Sequence, residues 1–227
     1  AGANHSFAQL SGNGKIKYGV KAGVNAAAYG LSSERKKDMK EDGFKKHPLI
    51  SFHVGGYADY AVTEALSVQA GLTISGKGYK ETWSGEDEFG GGNYSYKGSY
   101  KTNLTWLEIP INVVYKTGNL YFGAGPYVGY ALSGKWVEKY EEDWGDGDIE
   151  HFDDESGKIK FSGENAFIKP FDFGINLLAG YQLNNNISIG AGYGIGLPNL
   201  EKSLDGDDKY WSIKNRVFSI SVNYTFK

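Results

Sequence analysis

Eight runs of this chain alternate with a strict period of two, and one side of that alternation carries nothing charged or amide-bearing. The apolar parity runs from Tyr18 to Ala28, Phe52 to Val62, Leu66 to Gly76, Leu107 to Tyr115, Leu120 to Leu132, Phe171 to Leu183, Ile187 to Leu197 and Phe218 to Phe226. Its 48 positions hold no Asp, Glu, Lys, Arg, His, Asn or Gln. The other parity has 40 positions, of which 13 are Gly and only Val114 and Leu178 are large aliphatics. Period two belongs to strands, whose side chains alternate between faces. Two faces this unequal must meet two unlike media.

Each run covers 9 to 13 residues, which suits a tilted strand crossing a bilayer in about 9–11. The connections alternate between tight and long. Thr63-Glu64-Ala65, Lys116-Thr117-Gly118-Asn119 and Asn184-Asn185-Asn186 are short, whereas 29–51, 77–106, 133–170 and 198–217 are long and polar. Short turns facing the periplasm and long loops facing outside are the habit of outer-membrane barrels. The expected fold is an all-β, eight-stranded antiparallel up-and-down transmembrane barrel with both termini periplasmic. Residues 1–14 are expected to be a processed or flexible tail, and 15–227 a single barrel domain.

Composition narrows the field. No stretch reaches the roughly 18 apolar residues of a membrane helix, and the mean hydropathy of −0.45 fits alternating strands. A net charge of −3 gives no basic footprint for nucleic acid. Without cysteine there is no disulfide, thiolate zinc site or thiol catalyst. No cofactor or metal is expected.

Placing the apolar face inward, as in a soluble lipocalin-like carrier of an apolar ligand, would leave glycine at almost every third water-facing strand position, where it weakens the strand. Facing inward, the same glycines make room for Tyr57, Tyr121 and Tyr127 in a bore that eight strands leave barely wide enough for side chains. The apolar face ends in aromatics: Tyr18, Tyr60, Tyr115, Phe122, Tyr181 and Tyr224 near the short turns, and Phe52, Tyr130, Phe171 and Phe173 near the long loops. Two such girdles are expected at the two membrane interfaces.

The stretches YGVKAGVN (18–25), LEIPINVVY (107–115), GAGPYVGYALSG (123–134), FDFGINLLAGYQLNNNISIGAGYGIGL (171–197) and FSISVNYTF (218–226) resemble the PorT-like outer-membrane β-barrel family of Gram-negative bacteria. The resemblance implies insertion by the outer-membrane assembly machinery, which reads a terminal aromatic, here Phe226 followed by Lys227. It implies no catalytic motif.

Lys21, Asp59, Lys77, Glu108 and Asp172 fall on the inward parity, with Asn25, Gln69, Asn112, Asn176 and Gln182 between them. They are expected to form a polar network that satisfies charges removed from water; a gated ion path is the functional alternative. Residues 34–47 hold six basic and four acidic residues, and 137–165 eleven acidic and three basic. The acidic run is expected to be a solvated loop, with a divalent-cation site around Asp143, Asp146, Asp148, Asp153, Asp154 and Glu155 as the alternative.

Beyond the membrane runs, Tyr79 and Trp83 face Tyr94, Tyr96, Tyr100, Leu104 and Trp106. This predicts a protruding aromatic hairpin. Trp83, Tyr94, Tyr96 and Tyr100 are candidates for a surface that binds an external partner by strand addition or a glycan by stacking; packing on neighbouring loops is the plainer alternative. An outer-membrane lipid-modifying enzyme would need a nucleophile and base near the outer interface, and only His53 beside Ser51 offers one. Expected partners are outer-membrane lipid and lipopolysaccharide, the assembly machinery and a surface partner.

Overall fold

The computed structural model describes residues 16–89, 92–144, 149–163, 166–202 and 212–226. The elements are β1 (Ile16–Gly30), α1 (Ser33–Glu41), β2 (Lys45–His47), β3 (Leu49–Ala61), β4 (Leu66–Phe89), β5 (Gly92–Thr117), β6 (Leu120–Asp143), β7 (Ile149–His151), β8 (Glu155–Lys158), β9 (Phe171–Gln182), β10 (Ile187–Gly196) and β11 (Lys214–Thr225). Eight of these strands form an antiparallel ring, β1-β3-β4-β5-β6-β9-β10-β11, and β11 returns to β1 from Gly19↔Thr225 to Gly30↔Lys214. The remaining three are short additions above the ring: β2 pairs with β4, and β7 and β8 pair with β6. The eight-stranded up-and-down barrel read from the sequence is therefore the fold. The expected tail, residues 1–14, lies outside the described residues.

Local chemistry sets the short turns. Thr63 Oγ1 accepts the backbone N–H groups of Ala65 and Leu66 at 3.3 and 3.0 Å. Asn184 Oδ1 accepts those of Asn186 and Ile187, both at 2.9 Å. These side chains satisfy backbone donors that a reversing chain leaves open. Gly118, with φ of 56°, supplies the left-handed residue of the third turn.

Side-chain direction follows the parity. Ile50, Phe52 and Val54 are 67%, 72% and 56% exposed, whereas the inward Asn112, Lys77 and Asp172 are 4%, 3% and 0% exposed. The soluble reading required the opposite arrangement and is overturned. The glycines fit as expected: a Cβ on Gly180 would lie 2.2 Å from the Tyr121 hydroxyl, and one on Gly19 would lie 2.3 Å from Tyr57 Cζ.

The long-loop end departs from the expectation in three ways. β6 does not stop at Leu132 but runs to Asp143 beside β5, which itself pairs with β4 out to Phe89↔Gly92. Thr105 faces Ser133 while Trp106 faces Ala131, so Leu132 is an inserted residue. That bulge inverts the parity of β6 above it. The charged run 33–41 is a short helix, whose start is capped by the Ser32 hydroxyl accepting the Arg35 N–H at 3.1 Å.

The face assignment predicts that Ile111→Lys, at the middle of the outward face of β5, costs about 2–4 kcal/mol. Asn112→Lys, directed into the interior, should cost well under that. Urea unfolding in lipid vesicles, read by unboiled gel migration of the folded form, checks the pair; equal costs would refute the assignment.

Candidate functional site

The interior has three levels. At the short-turn end Lys116 Nζ meets Asp59 Oδ2 at 2.5 Å. Above it lies a cavity of ≈1040 Å³, lined from Ile16, Glu64 and Asn185 at the turns up to Asn25, Lys77 and Tyr127. The sequence reading expected side chains to fill the bore; glycines on β6, β9 and β10 leave it partly open instead. Lys21 projects into this space in the field of Glu108. His53 Nδ1 lies 2.8 Å from Asn25 Oδ1, and its Nε2 3.0 Å from Ser221 Oγ. An amide oxygen only accepts, so the Nδ1 proton of His53 points to Asn25, and in the neutral ring Nε2 accepts from Ser221. Asn25 Nδ2 in turn donates to Ser75 Oγ at 3.1 Å and to the Gly76 carbonyl at 2.9 Å.

The second level is ionic. Lys77 Nζ sits 2.6 Å from Glu108 Oε1 and 3.0 Å from Asp172 Oδ2, and 4.7 Å from the centre of the Tyr127 ring. Asp172 Oδ2 also accepts from Tyr127 Oη at 2.9 Å and Asn215 Nδ2 at 2.7 Å. Of the five interior residues singled out, Lys77, Glu108 and Asp172 thus form one cluster, Asp59 pairs separately with Lys116, and Lys21 stands between them. Asn215 was missed because its run was read only from Phe218 onward.

The third level closes the barrel. Leu104, Trp106, Ala131 and Leu200 form a buried cluster, with Ile159, Phe161 and Ile168 packed against it. Over it Tyr29 donates to Glu81, Lys46 Nζ donates to the Tyr29 carbonyl at 2.6 Å, and Arg35 pairs with Glu201 at 3.0 Å. Burial, with the charge of Glu201 second, lifts Glu81 to about 7. Ion cluster and apolar plug together leave no continuous bore among the described residues.

Beyond the plug, β4, β5 and β6 continue as a sheet whose inner face is aromatic. Tyr79 packs on Tyr29 and Tyr100 at ring-centre distances of 4.3 and 6.4 Å, and Trp83 on Phe44 at 5.4 Å. Tyr100 stacks on Trp136 at 6.1 Å, and Tyr96 meets Tyr140 at a tilt with ring centres 6.4 Å apart. Tyr94 meets Tyr96 at 5.9 Å and Trp144 at 4.6 Å. All four aromatic candidates lie on this face, half-buried among other rings. Trp136 and Tyr140 were missed because the bulge at Leu132 puts them on the even parity, out of phase with the run below.

Two other expectations can be placed. Ser51 Oγ donates to the Gly76 carbonyl at 2.7 Å, so Ser51 and His53 are engaged with different partners. Asp154 pairs with Lys139 at 2.5 Å. Asp146 and Asp148 lie outside the described residues, and among those described no three acids or imidazoles converge as metal ligands.

A family model described as outer membrane protein beta-barrel domain matches residues 7–201. No curated protein matches the chain. Among solved structures, the attachment invasion locus protein Ail of Yersinia pestis aligns at 13% identity over 93% of this chain and 99% of that one, with a TM-score of 0.42. Neisserial surface protein A aligns at 12% identity over 93% and 99%, with a TM-score of 0.41. CarO of Acinetobacter baumannii aligns at 13% identity over 90% and 97%, with a TM-score of 0.39.

Removing Lys77 strands two carboxylates in the bore, so Lys77→Met should cost about 3–5 kcal/mol. Adding Asp172→Asn to it should restore part of that loss, since Asn still accepts from Tyr127 and Asn215 while Glu108 stays unpaired. Urea midpoints of the three proteins decide the matter; a double variant no better than the single would refute the pairing.

The cap above should respond to pH. Glu81 holds its proton in the folded cap up to about 7, against an ordinary 4.5. The folded form therefore binds more protons in that window, and the cap's stability falls as pH rises through it. Backbone hydrogen exchange of residues 33–41, corrected for intrinsic rates, should show stronger protection at pH 5 than at pH 8. Glu81→Gln should abolish the difference.

Proposed function

The chain belongs to the outer membrane protein beta-barrel domain family and is an integral β-barrel of the Gram-negative outer membrane; we propose that its role is to bind at the cell surface through the sheet that rises above the barrel. In this reading the short turns and both termini are periplasmic, and α1, β2, β7, β8 and the upper halves of β4–β6 are outside. Phe226 serves as the aromatic read by the assembly machinery during insertion. The stretches quoted above support reading the chain as a PorT-like member of such barrels.

The observation that carries the proposal is the contiguous plate of rings made by the half-buried Tyr94, Tyr96 and Tyr140 and the exposed Trp144. A strand presents a ring on one face every second residue, roughly 6.8 Å apart. Ring faces stack on the C–H faces of sugars, and here tyrosine hydroxyls stand beside the carboxylates of Asp87 and Glu142, which sit on the same inner parity and accept from sugar hydroxyls. A carbohydrate chain is the occupant that this chemistry favours. Transport fits less well, because the bore is closed by the Lys77 cluster and the Trp106 plug. Catalysis fits less well, because Ser51 and His53 are not in contact. Among the described residues, nucleic acid has no basic face to meet on the aromatic plate.

The test is a glycan array probed with the full-length protein in nanodiscs, beside the variant Tyr94→Ser/Tyr96→Ser. Saturable binding to a defined set of glycans, weakened roughly tenfold or more in a variant that still shows the heat-dependent gel shift of a folded barrel, is the expected result. Absence of glycan binding by the native sequence, or equal binding by both proteins, would overturn the proposal.

A further inference from the structure

The opposite face of the same sheet is built differently. Below, the outward side chains of the wall are apolar: Ile74 and Leu132 are 49% exposed and Tyr130 48%. Above, the register sets Lys80 directly across from Lys101 and Lys135 directly across from Lys158. Asn103 faces Lys135 on one side and Gly78 on the other, which brings the two lysine pairs into neighbouring rows. His47 pairs with Lys80 and extends the first row onto β2.

All four lysines point away from the aromatic plate, because their immediate neighbours Tyr79, Tyr100, Trp136 and Gly157 lie on its side. Their height follows from the strands. Lys80 and Lys101 are six residues beyond Ile74 and Leu107, and Lys135 is three beyond Leu132. At about 3.3 Å per residue on strands tilted near 40°, these rows stand roughly 15 and 8 Å above the apolar wall. That is the level of the headgroups of the outer leaflet.

Like charges directly opposite across a strand pair destabilise a sheet. Higher up on β5 and β6, the outward lysines are neutralised within the protein: Lys97 pairs with Glu141 at 2.6 Å and Lys139 with Asp154 at 2.5 Å. Among the described residues, Lys80, Lys101, Lys135 and Lys158 have no such carboxylate partner. On β4, β5, β6 and β8 the lysines left uncompensated are therefore the ones level with the headgroups.

We propose that Lys80, Lys101, Lys135 and Lys158 are a docking band for the phosphate groups of the outer-leaflet glycolipid, each opposed pair holding one phosphate between two ammonium groups. Lipid-borne rather than free phosphate is the ligand, because the band continues the lipid-facing wall and lies within reach of a headgroup whose acyl chains cover Leu132 and Ile74. The proposal rests on the orientation given above, with the long loops outside.

The test uses the full-length protein in nanodiscs and purified diphosphoryl lipid A, with dephosphorylated lipid A and inorganic phosphate as controls. Native mass spectrometry should show diphosphoryl lipid A retained. Replacing the four lysines with glutamine should weaken retention roughly tenfold or more while leaving the heat-dependent gel shift intact. Inorganic phosphate at millimolar concentration should not displace the lipid; displacement would make the band a free-anion site and overturn the proposal. Equal retention of both lipids, or of one lipid by both proteins, would also overturn it. The orientation is read separately, by labelling Ser84→Cys on intact cells with a membrane-impermeant maleimide, since the native sequence has no cysteine. Labelling without lipid A retention would sink the docking band alone, and no labelling would sink the orientation.

Discussion

Every backbone N–H and C=O in the apolar zone of this protein must find a partner within the protein, because hydrocarbon offers none. The pairing of β1 with β11 meets that demand. Without it the two strands would present open edges to lipid, each unpaired group costing several kcal/mol. Closure fixes the number of strands, the number of strands fixes the width of the bore, and the width decides what the interior can hold. Tyr57 and Tyr121 fit inside only because Gly19 and Gly180 carry no side chain at the points the rings occupy. The glycine content is thus a consequence of closure.

A bore of this width cannot keep charges hydrated as bulk water would, so the charged groups inside are arranged against one another. Lys77 stands between Glu108 and Asp172, while Lys116 pairs with Asp59 nearer the turns. Buried ion pairs of this kind are weak contributors to stability compared with apolar packing, yet costly to break on one side. Their effect here is to join β4, β5 and β9 across the bore at one height, above which Trp106 and Leu104 take over. The interior is accordingly polar and open toward the short turns and apolar and closed toward the loops.

The barrel was legible in the sequence because its two faces meet media that differ sharply, and alternation records that difference at each of 48 positions. Above the membrane the contrast fades. On β4 and β5 the inward parity still carries Tyr79, Trp83, Tyr96 and Tyr100, so the hairpin could be read. On β6 the residue inserted at Leu132 shifts the phase, and Trp136 and Tyr140 then fall where an unbroken alternation would put lipid-facing side chains. The helix at 33–41 was hidden for another reason: it buries no residue, so no apolar stripe marks it, and the Ser32 cap alone is too common a signal. Ion partners such as Asp172 with Lys77 could be placed on the same side of the wall, but contact across the bore depends on stagger between strands, which one sequence does not reveal.

The upper parts of β4, β5 and β6 show how a single strand can serve three surroundings in succession. Along β5, outward residues pass from Ile111 and Ile109 in the apolar zone to Asn103 and Lys101 above it and then to Lys97, which is neutralised by Glu141. Inward residues pass from Asn112 beside the cavity to Trp106 in the plug and then to Tyr100 and Tyr96 on the aromatic plate. The change on each face occurs within about three rows, so the two faces change character at nearly the same height. A sheet that ended at the membrane would need none of these transitions. One that continues must swap its outward apolar residues for cations and its inward polar residues for rings, because above the headgroups the outer face meets water and the inner face has no barrel opposite it to fill.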